Sequence, residues 1–150
     1  MKKILILLSL LMIFVCSCEK TETISNSVSL YELEVTLGAP RPNLPEPVKT
    51  LEAPSCHYEG TDTVYYYEDF TLYTYRFEDK DVVYCIELLN DNTKTREGAE
   101  VGMTQADIVG IYGQEYETLP NGISYPLETG GNLNFRIKDD KVFMIEYYTE

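Results

Sequence analysis

Ser29 to Gly38 reads SLYELEVTLG and Thr104 to Gly113 reads TQADIVGIYG, and the two stretches align at an offset of 75. Each opens on a hydroxyl residue followed three positions later by an acid, Ser29 with Glu32 and Thr104 with Asp107. Such a pair supplies an N-cap and a carboxylate at the positive end of a helix. Apolar groups then recur at helical spacing, Leu30, Leu33 and Leu37 in one, Ile108, Ile111 and Tyr112 in the other. Both stretches end at a glycine, Gly38 or Gly113, where a left-handed cap costs little. The spacing predicts two short helices.

Further along, Asp81 to Glu87 (DVVYCIE) aligns with Asp140 to Glu146 (DKVFMIE) at an offset of 59. The difference of 16 between the offsets is the segment Ala39 to Pro54 (APRPNLPEPVKTLEAP), whose five prolines forbid helix interior and central strand alike. Leu133, Phe135 and Ile137 alternate with polar residues, and beyond an Asp139-Asp140 turn Phe143, Ile145 and Tyr147 continue the apolar face. Tyr73, Tyr75 and Phe77, then Tyr84, Ile86 and Leu88, take those places in the first half. The expected fold class is α+β: two tandem repeats, each a short helix followed by an antiparallel β-meander, with the helices on one sheet face. The first repeat runs over 29–97 with a Pro-rich insertion at 39–54, the second over 98–150.

Gly102-Met103-Thr104, Asp107, Tyr112-Gly113, Tyr125, Phe135 and Val142 with Ile145 resemble the repeat unit of the β-lactamase-inhibitor-protein-like fold and of small outer-membrane-assembly lipoproteins. Pro54-Ser55-Cys56, Tyr58-Glu59-Gly60 and the run Tyr65 to Tyr75 are similar to a group of lipoproteins from gut Firmicutes. The resemblance covers roughly residues 28 to 148 and departs at the long Pro-rich loop. Its motifs are structural, so it implies a fold and no catalytic residue.

Residues 1–17 have the pattern of a signal peptide: Lys2 and Lys3 precede an apolar run from Ile4 to Val15 broken only by Ser9. The run is too short and wrongly flanked for a transmembrane span. Val15-Cys16-Ser17-Cys18 resembles a bacterial lipobox. Cys18 follows the small Ser17 and fits the lipid-attachment position; Cys16 follows the bulky Val15 and fits worse. Residues 18–28 then form a lipidated cysteine and a flexible tether, and the chain is expected on the outer face of the cell membrane, held by acyl chains.

Cleavage before Cys18 takes two lysines from the 12 basic groups and none from the 25 acidic ones, moving the formal charge from -13 to -15. Such a surface repels phosphate backbones, so nucleic acid is not an expected partner. His57 is the single histidine, and neighbouring side chains on a strand point to opposite faces, so Cys56 and His57 do not form a dyad there. Asn90-Asp91-Asn92 lacks the glycine and distal glutamate of a calcium loop and reads as a solvated turn. No catalytic motif, metal site or cofactor fingerprint is present, and the chain reads as no enzyme. Cys56 and Cys85, the thiols left after lipidation, are either bridged or two buried free thiols.

Thirteen tyrosines are the unusual feature. With Glu68-Asp69 as a hairpin turn, Val64, Tyr66, Tyr73 and Tyr75 share one face, taken as core. Tyr65, Tyr67, Phe70, Leu72 and Arg76 share the other. That second face is expected either to bind a protein or peptide partner, with Arg76 as a cation at its edge, or to be covered by the Pro-rich loop. The expected function is a membrane-anchored, extracytoplasmic, non-enzymatic protein- or peptide-binding module; a structural or chaperone-like accessory subunit of an envelope assembly is the alternative.

Overall fold

The computed structural model describes residues 23–55 and 59–149. The lipobox, Cys18, Cys56 and His57 therefore lie outside the described residues. The first elements overturn the α+β expectation. Ser29 to Gly38 is no helix: β1 (Ser27–Leu30) and β2 (Leu33–Thr36) form an antiparallel hairpin. Tyr31 and Glu32 make its two-residue turn, both at positive φ, 50° and 64°, the conformation of a hairpin turn that matches the twist of its strands. The side chains that face inward are Val28, Leu30, Val35 and Leu37, an alternation of period two on either side of the turn. Leu33, needed by the helical reading, is exposed.

Eight strands form the main sheet: β3 (Lys49–Pro54), β4 (Thr61–Tyr66), β5 (Phe70–Phe77), β6 (Lys80–Leu88), β7 (Glu117–Leu119), β8 (Gly122–Pro126), β9 (Asn132–Lys138) and β10 (Lys141–Tyr148). Their order is β3-β4-β5-β6-β10-β9-β8-β7, every neighbouring pair antiparallel. Two four-stranded meanders thus meet along β6 and β10, with Ile86 opposite Tyr147 and Leu88 opposite Ile145. Between the meanders lies α1 (Gln105–Tyr112), the single helix among the described residues. Thr104 caps it in a reciprocal box with Asp107, whose backbone N–H donates to Thr104 Oγ1 at 3.2 Å. Helix per repeat is therefore corrected to a hairpin before the first meander and a helix before the second.

β3 also lies inside the segment 39–54, whose prolines were expected to exclude helix interior and central strand. It is an edge strand, and its one proline is the terminal residue, the places where a missing N–H is tolerated.

One face of the sheet carries the core. Tyr125, Leu133, Tyr147, Ile86 and Leu72 follow one another in register across five strands, and Ile123, Phe135, Ile145, Leu88 and Phe70 form the neighbouring row; all ten are buried. Val28, Leu30, Val35 and Leu37 of the first hairpin, Leu44 of the Pro-rich loop and Ile108 of α1 belong to the same cluster. Burying a large apolar side chain contributes about 1.5 to 3 kcal/mol, so these rows dominate stability.

β-Bulges interrupt both seam strands. Tyr84 is the extra residue of β6 between the pairs Tyr73–Cys85 and Thr74–Val83, and Phe143 is that of β10 between Val142 and Met144. Each bulge shifts the alternation by one, so the buried residues run Val83, Ile86, Leu88 and Val142, Ile145, Tyr147.

Candidate functional site

Of the five expected binding residues, three are packed into the core face of the sheet. Tyr67, Phe70 and Leu72 are 6%, 1% and 0% exposed, which makes them core. Tyr67 stacks on Phe70 with ring centroids 4.3 Å apart, Tyr31 of the first hairpin packs edge-on against both, and the Tyr67 hydroxyl donates to the Pro45 carbonyl at 3.2 Å. The hairpin and the Pro-rich loop thus cover the face that Tyr67, Phe70 and Leu72 were expected to present. Tyr65 is half-buried at the rim: the Arg41 guanidinium stands 4.2 Å from its ring centre, and its hydroxyl donates to Asp81 at 2.9 Å. Burial raises the Tyr65 phenol above its ordinary range, and the Asp81 bond adds to this. Arg76 already has an ion-pair partner within its own sheet, Asp81 at 2.9 Å. Asp81 therefore holds both Tyr65 and Arg76.

Two further expectations meet the structure here. Cys85 is a free, buried thiol between Tyr73 and Tyr148 in the sheet register, pushed well above the usual thiol range by burial. Its expected partner Cys56 lies outside the described residues. In the turn after β6, Asn90 and Asn92 each donate a side-chain N–H to one oxygen of Asp69 at 2.8 Å. Those bonds hold the Asp69 carboxyl below its usual range, and no cluster of metal-ligating side chains occurs among the described residues.

The tyrosines expected in the core line the other face. Its central row follows the register across the entire sheet: Glu117, Ser124, Asn134, Glu146, Glu87, Thr71, Tyr66 and Lys49. Beside it run Asn132, Tyr148, Cys85, Tyr73 and Val64. Tyr84, turned by its bulge, brings its ring within 6.1 Å of Tyr73 and 6.3 Å of Tyr75. None of these side chains belongs to the core cluster among the described residues.

At the seam two carboxylates stand directly opposite each other, Glu87 on β6 and Glu146 on β10. Like charges in that relation repel. Glu146 is compensated: Arg136 donates to it at 2.7 Å and Asn134 at 3.0 Å. Glu87 accepts the Tyr73 hydroxyl at 2.9 Å. Burial raises the Glu87 carboxyl above its ordinary value, the negative Glu146 adds to this, and the Tyr73 bond works against it. The Tyr73 phenol is itself raised by burial and by Glu87. The outer face therefore offers phenol rings and, at the seam, a carboxylate pair of which Glu146 bonds the Arg136 guanidinium and Glu87 the Tyr73 phenol. This arrangement suits recognition of polar, aromatic-compatible groups. The acids Glu87 and Glu146 were legible as aligned residues of the two halves, but nothing in spacing alone placed them side by side.

No protein-family model matches the chain, and comparison with curated proteins and with solved structures gives no match.

Proposed function

We infer that this chain is a lipid-anchored, extracytoplasmic binding module, without enzymatic activity, that recognises a protein or peptide on the outer face of its main sheet. The observation that carries the reading is the two-sided use of tyrosine. One face buries Tyr67, Tyr125 and Tyr147 in the core, while Tyr73, Tyr75, Tyr84 and Tyr148 on the other are partly exposed, and the Tyr73 hydroxyl bonds Glu87 of the Glu87–Glu146 pair. Tyrosine gives large amphipathic contact area with few rotatable bonds, which is why it is frequent among interface anchors. The anchor itself rests on Lys2, Lys3, the apolar run and Ser17-Cys18.

Two experiments test this reading. A tagged full chain is used to capture partners from solubilised envelope, beside Tyr84→Ala and Tyr148→Ala forms. Each substitution should weaken capture by at least about 1 kcal/mol while leaving the melting temperature nearly unchanged. Equal capture by all three forms would move the binding site elsewhere. For the anchor, Cys18→Ala should leave an unprocessed precursor without palmitate label; label that survives there and vanishes in Cys16→Ala would assign lipidation to Cys16.

A further inference from the structure

On the outer face, one of two neighbouring acids bonds no cation among the described residues. Glu87 and Glu146 are cross-strand neighbours. Arg136 is committed to Glu146 on one guanidinium nitrogen and to Asn121 on the other, at 2.7 and 3.1 Å. The Glu87 carboxylate, half-buried, bonds a phenol and, among the described residues, no cation. Tyr73 on β5 and Tyr148 on β10 flank β6 on its two sides, in the row next to Glu87. A half-buried carboxylate flanked by phenol rings has the chemistry that receives a guanidinium or ammonium group, through a charge-assisted bond to the acid and cation–π contact with the rings.

Resting on the binding-module reading above, we propose that the partner presents a basic polypeptide segment to this face and seats an arginine or lysine against Glu87. Charge complementarity selects that occupant over the others. A second copy of this chain would bring a like charge of -13, or -15 after cleavage, against the Glu87–Glu146 pair. An acidic segment would meet Glu87 and Glu146 head-on. A purely apolar segment would leave Glu87 desolvated without an ion partner, which disfavours binding. Arginine fits better than lysine, because a planar guanidinium stacks on a ring while bonding a carboxylate.

The test measures binding of two fluorescein-labelled peptides to the full chain in uncharged detergent at about 0.1 M salt. One is an arginine-glycine repeat; the other carries citrulline in place of each arginine, with the same shape and no charge. The arginine peptide should bind at least about tenfold tighter than the citrulline one, and Glu87→Gln should remove about tenfold of that affinity. Glu46→Gln, which deletes the same charge from the exposed Pro-rich loop, should cost less than about twofold, as a distant charge screened by salt does. Equal losses in the two variants would reduce the effect to bulk charge and overturn the proposal, as would no loss in Glu87→Gln. Failure here, together with envelope capture that still depends on Tyr84 and Tyr148, would leave the binding-module reading standing and exclude the basic partner. Failure of both would sink the reading itself.

Discussion

Tyr67 and Phe70 show how residue identity can be right and its role inverted. The hairpin parity puts them on the same side as Leu72, but both sides of β4 and β5 carry aromatic groups, so composition does not say which side faces inward. The choice is made by segments remote in sequence, Val28 to Leu37 and Leu44, which share one cluster with Tyr67, Phe70 and Leu72. Truncating Phe70 or Tyr67 to alanine should therefore cost about 3 to 5 kcal/mol in a thermal or denaturant melt, as core aromatics do. A loss below about 1 kcal/mol would return these residues to the surface. Glu87 gives a prediction of opposite sign. Its carboxyl is raised above the ordinary 4.5, so the fold prefers the protonated form. The stability this contributes is fully present below 4.5 and is lost as pH rises through the raised value. Glu87→Gln removes that loss: the variant should melt above the parent at pH 7 and at the same temperature near pH 4. A parent that melts higher than the variant at pH 7 would show that the ionised carboxylate is held favourably instead.

At the scale of elements, the capped helix at Thr104 was legible because its signal is local: a hydroxyl, an acid three residues on, and a glycine stop. Ser29 to Gly38 carries the same three marks and still forms a hairpin. Val28 and Val35, each buried, lie on strands paired across the Tyr31-Glu32 turn, and satisfying both alternations at once outweighs a weak helical pattern. The capping box should be worth about 1 kcal/mol, so Thr104→Ala lowers the melt by that amount, whereas Ser29→Ala, which removes no helix cap, should cost less than about 0.5 kcal/mol. Equal losses would revive the helical reading of both segments. The seam strands were half legible. The alignment of Val83 with Val142 and Ile86 with Ile145 holds a three-residue step that simple alternation does not allow, and a bulge at Tyr84 and at Phe143 is what produces it. Gly122 marks another constraint of this kind: a Cβ there would lie 1.9 Å from the Phe135 carbonyl oxygen. Gly122→Ala should separate β8 from β9 locally and destabilise the fold by about 2 to 3 kcal/mol, read from the same melts. A neutral outcome would mean that the two strands are not so closely apposed.

For the whole molecule, the pairing of β6 with β10 turns two meanders into one sheet and sets its two sides to different uses. One side buries the rows that include Leu72, Ile86, Tyr147 and Leu133; the other joins Tyr73 and Glu87 of one half to Tyr148 and Glu146 of the other. That junction was not legible in the sequence, because the two strands are matched by similarity at an offset of 59, and similarity carries no information about adjacency. The address proposed for residues 1 to 18 rests, by contrast, on a one-dimensional pattern: Lys2, Lys3, the apolar run and Cys18. The most direct measurement is site-specific photocross-linking in intact cells, with a photoreactive residue placed at Tyr84 on the outer face and, separately, at the exposed Ile111 of α1. The two-sided sheet predicts a discrete adduct from position 84 and none from 111. Adducts from 111 with none from 84 would contradict it.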